Sequence, residues 1–89
     1  PIIVDTADLE GTTVDLPLNN VMNINVPAGT EADWTAEVAD PSILSFTPGG
    51  PDGDAVMNPG ITPLKAGSTQ VTLTNSATGD KVTFTVNVA

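Results

Sequence analysis

The sequence predicts an all-β protein, a Greek-key sandwich of seven or eight short strands, and three observations carry that prediction. Apolar and polar residues alternate with period two along most runs. Turn residues interrupt those runs every ~8–12 positions, the spacing of a two-sheet sandwich. Thirteen threonines and ten valines load the chain with β-branched side chains. No window repeats apolar residues at i, i+3, i+4 and i+7 for long enough to make an amphipathic helix.

The elements follow in order. A first strand is expected near Ile2 to Asp5, before the Glu10-Gly11-Thr12 turn. Val14, Leu16 and Leu18 form a second apolar series, and Asn19-Asn20 divides it from a third, Met22, Ile24 and Val26, interleaved with Asn23 and Asn25. Pro27-Ala28-Gly29-Thr30 stops that run ahead of Trp34, Ala36 and Val38, which alternate with Thr35 and Glu37. Asp40-Pro41-Ser42 is a turn, because proline presets φ and an aspartate can bond the backbone that follows it. Ile43 to Thr47 reads as a short strand with Leu44 and Phe46 inward. Pro48 to Asp54 is expected to be the most flexible stretch of the chain. From Ala55 to Leu64 any strand is expected at a sheet edge or bulge, since Pro59 and Pro63 lack ladder donors. After a tight turn at Lys65-Ala66-Gly67-Ser68, Thr69 to Asn75 and Lys81 to Val88 form a hairpin across Ser76 to Asp80. The single domain spans residues 1–89 and is expected to be a fragment or processed module of a larger protein.

Composition excludes several functions. The chain has no histidine, cysteine, tyrosine or arginine, and its two cations, Lys65 and Lys81, face 11 carboxylates for a net charge of −9. A Ser-His-Asp triad, a cysteine nucleophile and a zinc site of the usual kind are therefore ruled out, and the chain is read as a non-enzyme without cofactor or metal. So acidic a surface is a poor partner for nucleic acid or an anionic membrane. No run of ~18 apolar residues is present to span a bilayer. Trp34, the sole tryptophan, is expected mid-strand in the core with its indole N–H on a carbonyl. Phe46 and Phe84 also fall at inward positions, so no aromatic row is left for stacking on sugar. Two loops are the candidate binding residues: Ala28, Gly29 and Thr30, and Asp52, Gly53 and Asp54. The second places two carboxylates two residues apart, which could begin a calcium site and makes a calcium-dependent module one alternative.

Two passages carry a family resemblance. Trp34-Thr35-Ala36-Glu37-Val38-Ala39-Asp40-Pro41-Ser42-Ile43-Leu44 resembles the tryptophan-to-Asp-Pro-Ser passage of group-2 bacterial Ig-like domains. Pro63 to Thr74 resembles their Ala-x-x-x-Gly-x-Thr-x-Val-x-Val-Thr segment. That likeness implies an immunoglobulin-like sandwich acting as a structural or adhesive spacer in a bacterial surface, secreted or virion protein, with an extracellular or cell-surface location. Its partner would be a neighbouring domain or another protein, the isolated domain monomeric, and its two ends at opposite poles. The chain is also similar to chagasin-like inhibitors of papain-type cysteine proteases, in the Met22 to Trp34 lead-in and the Lys65-Ala66-Gly67 passage. In that family three loops at one end of the sandwich inhibit. Here Val26-Pro27-Ala28-Gly29-Thr30 stands where the family has Asn-Pro-Thr-Thr-Gly. Asn75-Ser76-Ala77-Thr78 stands in place of its Arg-Pro-Trp, and only the Gly-rich middle loop, Pro48 to Gly60, is comparable.

Overall fold

A computed structural model describes residues 1–89. Ten strands form: β1 (Ile2–Asp5), β2 (Thr13–Leu16), β3 (Met22–Asn25), β4 (Trp34–Val38), β5 (Leu44–Thr47), β6 (Gly50–Asp52), β7 (Ala55–Met57), β8 (Gly60–Pro63), β9 (Gly67–Asn75) and β10 (Lys81–Val88). One sheet has the order β1-β3-β8-β5, the other β2-β10-β9-β4, and β6-β7 stand apart as a hairpin. The fold is an immunoglobulin-like β-sandwich. β1 runs parallel to β3 and β2 parallel to β10; every other pair is antiparallel. Between β1 and β2 the chain crosses from sheet to sheet through a 3-10 turn at Thr6–Asp8. The Asp5 carboxylate accepts from the Ala7 N–H there at 2.9 Å, and Leu9 is fully buried just beyond.

The period-two reading holds along the core strands. Met22 and Ile24 of β3, Leu44 of β5 and Ile61 of β8 meet Leu16 of β2, Val71 and Leu73 of β9, and Phe84, Val86 and Val88 of β10. Burying one such side chain stabilises by about 1.5–3 kcal/mol, and with no cysteine in the chain this seam is what holds the sheets face to face.

Four expectations are corrected. The flexible stretch and the weak strand after it contain β6, β7 and β8, so eight strands build the two sheets and a hairpin adds two more. β8 is interior, between β3 and β5, because its prolines flank it: Pro59 precedes it and its carbonyl accepts from the Ile24 N–H at 2.9 Å, and Pro63 is its last residue. Trp34 opens β4, paired with Asn75, instead of lying mid-strand. The ends do not lie at opposite poles. β1 runs with β3 toward the β3–β4 loop and β10 runs away from the β9–β10 turn, so Pro1, beside Val21, and Ala89, bonded to Leu18, both lie away from those loops.

At that far end, the Asp40 carboxylate accepts from the Ser42 hydroxyl and the Ser42 N–H. These bonds, with a smaller contribution from the Lys65 ammonium, hold its pKa below the ordinary carboxylate value against slight desolvation. A depressed folded-state pKa means that Asp40 stabilises the fold above the unfolded carboxylate pKa. That contribution is lost as the pH falls through the folded value. Ser42→Ala should raise the Asp40 midpoint toward its ordinary value in a carboxyl-carbon NMR titration; an unmoved midpoint would contradict the assignment to Ser42.

Candidate functional site

Strand direction decides which loops meet. β3 and β5 are both antiparallel to β8 and so run the same way, while β4 and β10 both run against β9. The β3–β4 loop (26–33), the β5–β8 segment (48–59) and the β9–β10 turn (76–80) therefore emerge together at one end.

Local chemistry stiffens each of them. In the first, the Thr30 N–H donates to the Pro27 carbonyl at 3.0 Å, closing a turn around Gly29, whose φ of +88° suits glycine. The Thr30 hydroxyl donates to the same carbonyl at 2.7 Å and accepts from the Trp34 indole N–H at 3.1 Å. That hydroxyl, and not the carbonyl expected from sequence, satisfies the tryptophan. The Glu31 carboxylate caps the Gly29 N–H at 2.9 Å. In the second segment, Asp52 pairs with Ala55 across a two-residue turn in which Gly53, at φ +61°, occupies the first central position. A primed turn with glycine first is the sort that matches strand twist in a tight hairpin. In the third, the buried Asn75 side chain accepts from the Ala77 and Thr78 N–H groups at 2.9 and 3.2 Å.

The three are tied to one another through their bases. Ser76 donates to the Asp33 carbonyl from both its N–H, at 2.8 Å, and its hydroxyl, at 2.9 Å. On the other side, Gly49 lies so close to its neighbours that a Cβ there would be 2.6 Å from the carbonyl oxygens of Glu31 and Met57 and 2.7 Å from the Pro59 nitrogen. Only a residue without a side chain fits.

Both candidate loops read from sequence belong to this end. Ala28 and Gly29 are exposed and Thr30 is half-buried, while Asp52, Gly53 and Asp54 are exposed on the hairpin tip. The structure joins the two loops and adds the β9–β10 turn, with Ser76, Asp33 and Gly49 as the connecting residues that sequence reasoning missed. The Gly53-Asp54 pair is the one signal in the sequence that could have revealed the hairpin. No three carboxylates gather anywhere in the chain, and Asp52 and Asp54 stand as a pair on the hairpin tip. Small side chains, accessible backbone and carboxylates are what this end offers, which suits contact with a protein.

Two substitutions test the construction. Gly49→Ala must push the loops apart and should cost about 1–3 kcal/mol in urea unfolding, against almost nothing if the packing there is loose. Thr30→Val removes the acceptor of a mostly buried indole N–H and should cost about 1–3 kcal/mol, with Thr30→Ser recovering most of it.

No family model matches the chain, and no curated protein sequence does. Solved structures do resemble it. The cysteine protease inhibitor EhICP2 from Entamoeba histolytica is similar over 99% of this chain and 94% of its own, at 14% identity and a TM-score of 0.67. The solution structure of amebosin is similar over 100% of this chain and 99% of its own, at 21% identity and a TM-score of 0.69. At these identities the likeness is one of fold, and it runs from end to end of this chain.

Proposed function

We propose that the chain is a protein inhibitor of papain-type cysteine proteases, acting through the loop end of the sandwich. The observation that carries this reading is the convergence of three internally braced loops at one end of a fold similar to that of a cysteine protease inhibitor. A protease cleft is a groove, and a narrow, stiff edge can enter it with little loss of conformational freedom. Ala28, Gly29, Gly53 and Ala77 keep the crest of that edge slim, so backbone N–H and C=O groups can approach the cleft walls. The chain has no aromatic anchor there. Contact would rest on main-chain hydrogen bonds and shape, with the Glu31, Asp33, Asp52, Asp54 and Asp80 carboxylates favouring a protease whose cleft rim is basic. The structural or adhesive spacer reading loses its geometric support, because entry and exit lie at the same end.

The test is inhibition of papain and related enzymes on a fluorogenic peptide substrate. Inhibition at low micromolar concentration is expected, weakened roughly tenfold or more by Ala28→Trp, which puts a bulky ring on the crest. Glu37→Gln, on the exposed face of β4, should leave it unchanged. A chain that slows no papain-type enzyme, or an Ala28→Trp variant that inhibits as well as the parent, would overturn the reading.

A further inference from the structure

Asp52-Gly53 is the one place in the chain where an aspartate or asparagine precedes a glycine. A peptide nitrogen that reaches the γ-carbon of the aspartate before it can close a five-membered ring. Glycine, having no Cβ, shields that nitrogen least. The structure leaves both reacting groups free. Neither the Asp52 carboxylate nor the Gly53 N–H takes part in a hydrogen bond, and a Cβ at Gly53 would meet nothing within 4 Å.

Other aspartates are less open to the same reaction. The Asp5 and Asp15 carboxylates accept from the side-chain amides of Asn25 and Asn87. After Asp8, the Leu9 N–H donates to the Thr6 carbonyl. After Asp40 comes Pro41, which has no N–H to lose. The setting of Asp52 also permits movement. The β6–β7 hairpin pairs with neither main sheet, Asp52 is in its last pair before the turn, and its strands are exposed over all but Gly50. Crowding at Gly49 holds the base of this hairpin, but few buried contacts hold the tip, and such segments open locally at little cost. Opening of the Asp52–Ala55 pair lets the peptide between Asp52 and Gly53 rotate until its nitrogen faces the carboxyl carbon.

We propose that Asp52-Gly53 is a site of spontaneous covalent rearrangement that remodels the hairpin tip. The Gly53 nitrogen attacks Cγ of Asp52 and an N–Cγ bond forms. The nitrogen gives up its proton and the protonated carboxyl loses its hydroxyl, which leave together as water, and a cyclic imide results. A water molecule then opens the ring. Attack at Cγ restores aspartate. Attack at the main-chain carbonyl carbon breaks its bond to the Gly53 nitrogen, so the backbone runs through Cβ and Cγ and a carboxylate is left on Cα. Nothing is oxidised or reduced, and the water lost in the first step is regained in the second. The isoaspartyl product keeps the mass of the chain and lengthens the backbone by one carbon, so Asp52 and Ala55 no longer sit opposite each other in the ladder. The proposal stands on the hairpin alone and does not rest on the inhibitor reading.

The test incubates the folded chain at body temperature in mildly acidic buffer, digests it and sequences the peptides by electron-transfer fragmentation, which separates the two linkages. Isoaspartate is expected to accumulate at residue 52, preceded by a species lighter by one water, with Asp5, Asp8 and Asp15 unchanged. Amide NMR spectra through the incubation should change at Gly50 to Met57 and nowhere in the two main sheets. Asp52→Glu, whose ring needs six members, should lower labelling of the aged chain by an isoaspartyl methyltransferase roughly tenfold or more. The proposal is overturned if residue 52 stays intact while the free peptide of residues 50–55 isomerises, if isoaspartate spreads evenly over the aspartates, or if Asp52→Glu is labelled as strongly as the parent. Protease inhibition is a separate readout, so either proposal can fail alone.

Discussion

The burial of alternate side chains between two four-stranded sheets is the constraint on which the rest of the molecule depends. Fourteen buried apolar residues form a single cluster, and no disulfide assists them. Because the two sheets are fixed face to face by that seam, strand direction alone determines where each loop emerges. Trp34 marks the boundary between seam and loops. Its ring is almost wholly inside, at 6% exposure, while its N–H reaches the Thr30 hydroxyl of the first loop. One residue thereby belongs to both the core and the loop end, and the position of the loop crest follows from the packing beneath it.

Stiffness at that end comes from short-range hydrogen bonds rather than from bulk. Thr30, Glu31, Asn75 and Gly53 each satisfy or shape a turn locally. Ser76 and Gly49 then lock the turns together through backbone atoms. A surface assembled this way can present small residues without becoming floppy, which matters because ordering a mobile loop on binding opposes affinity. The crest thus carries no aromatic side chain, and its shape is held by hydrogen bonds within and between its turns.

The strands of the seam were legible because alternation is written in side chains. β1 matched its expected span, and Met22, Ile24, Leu73, Phe84 and Val86 all point where the period-two pattern sends them. The misreadings share a cause. Pro59 and Pro63 looked like interruptions, but a proline matters only where its missing N–H would be needed, and the ends of β8 spare it that. Pro48 to Asp54 looked flexible by its glycines, yet Gly53 is the residue a tight hairpin demands and Gly49 one that crowding demands. The link from Ser76 to Asp33 was out of reach for a different reason: it ends on a backbone carbonyl, which every residue has, 43 positions away. The candidate site was therefore read as two separate loops, because what unites them is main chain.

The same geometry bears on how the molecule meets a partner. Since Pro1 and Ala89 lie away from the loop crest, anything joined to either would leave the crest open, whereas a spacer threaded end to end would cover both poles. The β6–β7 hairpin is supported from one side by the base of the first loop, where Gly49 and Gly50 lie against Glu31 and Ala32, so the placement of the crest rests on close backbone packing as well as on the seam.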